Sequence, residues 1–182
     1  MSRRTVPAAA KLVLSVIYGE EAAFESLRPR LEERFGPVES ASDRFPFDFT
    51  EYYAKEMGER LVRRFVVMRD PVARDALAAI KIAAEALEDG MAVAGRRAVN
   101  VDPGLLTEEN FILATGKNYS HRVYLGDGVY ADLALVYRKG AYRPLPWTYP
   151  DYASEGVRTY LGGVRASLTG AAAPHGGDRA CG

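Results

Sequence analysis

The chain has almost no cysteine: Cys181, next to the last residue, is the only one in 182 positions. A single thiol excludes an internal disulfide framework and a cysteine-built metal site, and it suits a cytoplasmic setting. Histidine is nearly as scarce. With only His121 and His175, paired-histidine spacings are missing, so no metal site is assigned and no cofactor is identified. Neither sign of charge is in excess, since 24 basic residues balance 24 acidic ones. That balance removes the global field that would draw the protein to nucleic acid or anionic lipid. No apolar run approaches the ~20 residues of a membrane-spanning helix. Ser2-Arg3-Arg4 before a short apolar strand does not read as a signal peptide.

What is present is 48% hydrophobic residues, enough for one domain with a sizeable core. Residues 1–10 read as a flexible N-terminus and 11–168 as a single α+β domain. The Ala- and Gly-rich segment 169–182 has nothing to offset the cost of ordering its backbone and reads as a disordered tail, His175 included.

Within the domain, Leu12 to Tyr18 is a strand apolar on both faces, ended by Gly19. Phe24, Leu27, Leu31 and Phe35 then mark a helical stripe closed by Gly36-Pro37. A strand is expected near Val38 and another over Leu61–Met68. Asp70-Pro71 reads as a helix start, with Val72, Ala76, Ile80, Ala83 and Leu87 keeping helical spacing to Asp89-Gly90. A fourth strand over Arg97–Val101 completes the order β-α-β-β-α-β. This is a ferredoxin-like core, here extended by a β-hairpin and a terminal helix. The extension reads as a short helix over Thr107–Thr115, a hairpin over His121–Arg138, a strand near Tyr142–Leu145 and a last helix from Asp151. That helix carries Val157, Tyr160, Leu161, Val164 and Leu168 on one face.

Side chains fix the hairpin register. A three-residue loop Gly126-Asp127-Gly128, with Gly128 left-handed, places Arg122 opposite Asp132 and Tyr124 opposite Tyr130. Val123, Leu125, Val129, Ala131, Leu133 and Leu135 then share the face expected to be core. On this register His121 points to the core side and Arg122 away from it, so the two would not act on one small ligand.

Four segments hold the chemistry. Tyr119 to Gly126 contains the one histidine of the folded part, which reads either as a functional group or as a core histidine. Phe45 to Gly58, aromatic and acidic, interrupts a short connection and reads either as a lid or as a satellite apolar cluster. Asn100-Val101-Asp102-Pro103-Gly104 reads as a strand end with a type II turn, where Asp102 either accepts turn amides or moves protons. Trp147 to Tyr152 reads as an aromatic shelf, with Asp151 capping the final helix. The acids and bases available for catalysis are His121, Asp102 and Glu56. Ligand-binding candidates are Asp48, Arg64, Lys117, Arg122 and Trp147.

These segments resemble the domain-of-unknown-function family 4416, an uncharacterised bacterial family. The resemblance runs from Lys11 to about Leu168. It rests on Pro46-Phe47-Asp48-Phe49-Thr50, Tyr53, Glu56-Met57-Gly58, Arg64-Phe65, Asn100 with Asp102-Pro103-Gly104, Tyr119 to Gly126, and Trp147 to Tyr152. It implies a grouping without an activity. Members are sometimes labelled GTP-binding, whereas here the only Gly-Lys pair, Gly116-Lys117, is followed by Asn118 and lacks the upstream glycine of a phosphate loop.

Two functional classes follow. One is binding of a small ligand, phosphorylated or nucleotide-like, or hydrolase or transferase chemistry, in a cleft near His121 and Asp102. The other is a non-catalytic module that binds protein through exposed aromatic residues, a homodimer included.

Overall fold

A computed structural model describes residues 3–47, 57 and 60–169. Its strands are β1 (Lys11–Tyr18), β2 (Val38–Ala41), β3 (Phe45–Pro46), β4 (Val62–Met68), β5 (Val99–Leu106), β6 (Asn110–Thr115), β7 (Arg122–Gly126), β8 (Val129–Arg138) and β9 (Ala141–Pro144). The helices are α1 (Glu21–Phe35), α2 (Leu77–Gly90), α3 (Pro150–Ala153) and α4 (Glu155–Thr169). The strands form one nine-stranded antiparallel sheet in the order β2-β4-β1-β5-β6-β8-β7, with β3 on β4 and β9 on β8. The expected four-strand core with an appended hairpin is thus a single continuous mixed α/β unit.

β1 lies at the centre of the sheet with every residue buried. Leu12, Leu14, Val16 and Tyr18 pack beneath Phe24, Leu27 and Leu31 of α1 and Ile80 and Ala84 of α2. On the other face Val13 joins Phe65, Phe111 and Leu135 beneath Val157, Leu161 and Val164 of α4. A sheet covered on both sides explains why β1 reads as a continuous apolar run rather than an alternating one. The same burial carries α1 past Pro29 in its interior. An internal proline costs about 3 kcal/mol. Three buried side chains at ~1.5–3 kcal/mol each outweigh it.

Several expected elements take another form. Residues 107–115 are a turn and the strand β6 rather than a helix. The Thr107 hydroxyl accepts the Glu109 and Asn110 amides, the contacts of a helix cap, but here they close the β5–β6 turn. Phe111 and Leu113 then alternate into the α4-side core, which only a strand allows. Asn100 to Gly104 is not a turn either, because β5 runs through it. The Val101 amide points away from β1, and Pro103, two residues on, directs its missing N–H to that same open side. Gly104 is demanded by packing: a Cβ there would lie 2.5 Å from the Phe111 ring.

The second helix starts at Leu77, after a 3-10 turn over Arg74–Ala76, rather than at Asp70. Val72 is unavailable to a helix, since its amide and carbonyl pair with those of Ala10. That pairing buries Ala10. The terminal helix is split at Ser154, whose hydroxyl accepts the Val157 amide, so Asp151 does not cap it. β9 is Ala141–Pro144, one residue earlier than expected. The tail beyond residue 169, with His175 and Cys181, and most of the Phe45–Gly58 segment lie outside the described residues.

Candidate functional site

The outer edge of β8 is shared between two strands. β7 pairs with Val129 to Asp132 and β9 with Leu135 to Arg138, which leaves Leu133 and Ala134 between them. The β9–α3 loop fills this gap: the Trp147 indole N–H donates to the Leu133 carbonyl at 2.9 Å and the Thr148 hydroxyl to the Ala134 carbonyl at 2.5 Å. Trp147 is therefore held by backbone satisfaction, which fixes its ring beside the start of β7.

That start carries the hairpin contacts expected from sequence, with Arg122 opposite Asp132 and Tyr124 opposite Tyr130. Val129 and Leu135 of the expected core face are buried, but the β7 residues of that face are not. Val123 and Leu125 are exposed, because β7 ends the sheet, while Asp132 is buried and the Arg122 side chain nearly so. The assignment of His121 to the opposite face from Arg122 also fails. His121 sits in a turn before β7, closed by the Arg122 amide on the Tyr119 carbonyl, so strand alternation does not govern it.

Both residues instead converge on Asp132. Arg122 Nε donates to Asp132 Oδ2 at 2.8 Å, and His121 Nε2 lies 3.4 Å from the same oxygen. That approach lacks the alignment of a hydrogen bond, and Nε2 is a buried nitrogen without a partner. The imidazole stacks on Trp147 with centroids 4.9 Å apart and rings 13° from parallel, and Tyr119 tilts against it at 5.2 Å. All three Arg122 nitrogens donate, the other two to the Lys117 carbonyl at 2.8 Å and the Tyr149 hydroxyl at 3.0 Å. Burial works against its charge, but the hydrogen bonds to Asp132 and Tyr149 prevail and raise its pKa. His121 and Arg122 line an open groove of about 890 Å³, together with Lys117, Tyr119, Trp147 and Tyr149.

Asp102 belongs to a second polar cluster. Beyond Gly104 toward Val99, no strand among the described residues pairs with β5 on its β6 side, and α2 supplies a partner there: Glu88 Oε1 accepts the Val101 amide at 2.7 Å. Lys81 Nζ lies 3.4 Å from Asp102 Oδ1, and Asn100 donates to Asp102 Oδ2 at 2.7 Å. Arg97 lies 3.4 Å from both Glu88 and Asn100. Burial drives the Glu88 carboxyl up to about 7, with the Val101 amide and Lys81 pulling the other way. The register Gly104–Leu113–Asp132 puts Asp102 on the sheet face of Asp132, two strands across and one pleat along. Strand spacing and rise make that separation roughly 12 Å. Asp102 therefore shares a sheet face with Asp132, without contact to it or to His121.

The other candidates lie elsewhere. Arg64 is committed to Glu21 at 3.0 Å and the Ser42 carbonyl at 3.0 Å, with its guanidinium over the Phe24 ring. Asp48 and Glu56 fall outside the described residues. Reading the sequence missed Asp132 as the partner of His121, Lys81 and Glu88 beside Asp102, and the buried Arg63–Asp151 ion pair. Signals existed for two of these: Asp132 interrupts an otherwise apolar strand, and Lys81 and Glu88 fall on the buried stripe of α2. Among the described residues, no cluster of three or more histidine, cysteine or acidic side chains could hold a metal, and no helix is long and apolar enough to cross a membrane.

The family model described as Domain of unknown function (DUF4416) matches residues 8–168 of the chain. No curated protein and no solved structure matches it.

Proposed function

The chain belongs to the DUF4416 family, whose description names no activity, and from the groove's geometry we propose that it binds a small, planar, negatively charged ligand of the nucleotide kind. The observation that carries the reading is the cluster of Arg122, Asp132, His121 and Trp147, in which Arg122 holds Asp132 and the imidazole stacks on Trp147 at the groove. Arg122 holds Asp132, Asp132 faces the inner edge of the imidazole, and Trp147 fixes the ring plane. A histidine positioned in this way is suited to proton transfer on a bound molecule, as in a hydrolase or transferase. Tyr119, Trp147 and Tyr149 offer stacking surface at the rim, and Lys117 supplies positive charge. Arg122 spends one donor from each guanidinium nitrogen on Asp132, Lys117 and Tyr149, and in this reading it acts by positioning. Asp102 would serve only a ligand long enough to reach along the sheet. We also read the β2-β4-β1-β5 strands, with α1 and α2 on one face, as the ferredoxin-like part of the fold.

The test is a thermal-shift series with nucleoside mono-, di- and triphosphates. Wild-type protein should melt higher with at least one of them, a ligand at 100 times its Kd adding ~2.7 kcal/mol. His121→Ala and Trp147→Ala should remain folded and lose that response. A wild-type melting temperature that does not move at millimolar nucleotide would sink the reading. The second reading, a protein-binding module, is favoured by one observation: apolar side chains stand exposed along β7.

A further inference from the structure

The two ends of the sheet differ in kind. β2, at one end, is polar, and its Glu39 pairs with Lys11. On the other side, β9 carries exposed Arg143 and Pro144, the residues that usually discourage a strand from pairing with another chain. β7, the outermost strand there, has neither device. Its one charge, Arg122, is turned inward onto Asp132. Val123 is 65% exposed, Tyr124 59% and Leu125 44%, with Tyr119 beside them at 64%. The bulge between Tyr124 and Gly126 twists the edge but places no charge on it.

We propose that β7 is a dimerisation edge, at which two copies of this chain pair antiparallel and continue the sheet from one subunit into the other. The sequence of the strand is self-complementary for that arrangement. A two-fold axis at Tyr124 sets Val123 against Leu125 of the partner subunit, Tyr124 against the partner's Tyr124, and Arg122 against the partner's Gly126. No like charges meet in this register, and the tip residue Asp127 comes alongside the partner's His121. Zero net charge leaves no long-range repulsion to oppose it. With aromatic areas of roughly 150–250 Å² and smaller ones for Val123 and Leu125, these exposures set an upper bound on the order of 450 Å² per copy. That bound lies just under the ~500 Å² per partner that a stable specific interface requires, so the dimer is a weak one. Each groove would then lie next to the hairpin tip of the other copy. The inference does not depend on what the groove binds.

Sedimentation velocity over about 1 to 200 μM protein should show a concentration-dependent shift from monomer to dimer. Tyr124→Lys should abolish the shift. A cross-link tests the register without relying on a variant that disrupts it. In a Cys181→Ser background, Tyr124→Cys lies on the axis, where paired Cα atoms ~4.5–5.5 Å apart suit a disulfide. It should give a covalent dimer under mild oxidation, whereas Glu39→Cys on the β2 edge should not. A protein that stays monomeric throughout, or one that links as readily at position 39 as at 124, would overturn the proposal.

Discussion

Glu88 offers the sharpest test of the energetics. Its carboxylate is buried between α2 and the open edge of β5, where it accepts the Val101 amide and faces Lys81, Asp102 and Arg97. Burial is the leading cause of a pKa raised from 4.5 to about 7, so the protonated acid is the better fit to the fold. The sign follows from linkage. A group whose folded pKa exceeds its unfolded one adds stability that is fully present below pH ~4.5 and lost as pH rises through ~7. Two and a half pH units at 1.36 kcal/mol each make that loss about 3 kcal/mol. Glu88→Gln keeps an oxygen for the Val101 amide and cannot ionise. Urea denaturation at pH 5 to 9 should show the wild type losing ground to Glu88→Gln by about 3 kcal/mol across that range. Parallel stability curves would refute the reasoning, because they would mean that ionised Glu88 is as well accommodated as the neutral acid.

Two further substitutions probe packing and charge. Gly104→Ala brings a methyl group within 2.5 Å of the Phe111 ring, and the forced shift should cost about 1–3 kcal/mol in chemical denaturation. Asp151→Asn removes the acid from its buried pairing with Arg63, which also lies over the Phe47 and Tyr152 rings. An uncompensated buried guanidinium should cost about 3–5 kcal/mol, whereas replacing Arg63 by Met together with Asp151→Asn should recover much of it.

How much of this was readable beforehand depends on the range of the interactions. β1, the α1 stripe, the α4 stripe and the pairing of Arg122 with Asp132 are set by local periodicity or by a turn of fixed geometry, and all four are legible in the sequence. Residues 107–115 misled because the Thr107 cap is the same chemistry in a helix start and in a hairpin turn. Only the distant α4 core, which takes Phe111 and Leu113 from one side of the chain, decides between them. Pro103-Gly104 misled similarly, since a proline sits in a strand only where its missing amide faces an unpaired edge, and that edge exists because β6 leaves β5 at Gly104.

The candidate site follows the same division. Alternation along β7 cannot reach His121, which lies one residue outside the strand, so its side depends on the turn and on Trp147 arriving from a loop 26 positions later in the chain. Trp147 is there because the edge of β8 between β7 and β9 must have its carbonyls satisfied. The geometry of the histidine is thus a consequence of sheet topology rather than of its own segment. Any change that lets β7 and β9 close that gap would displace Trp147 and free the imidazole, even with His121, Asp132 and Arg122 untouched.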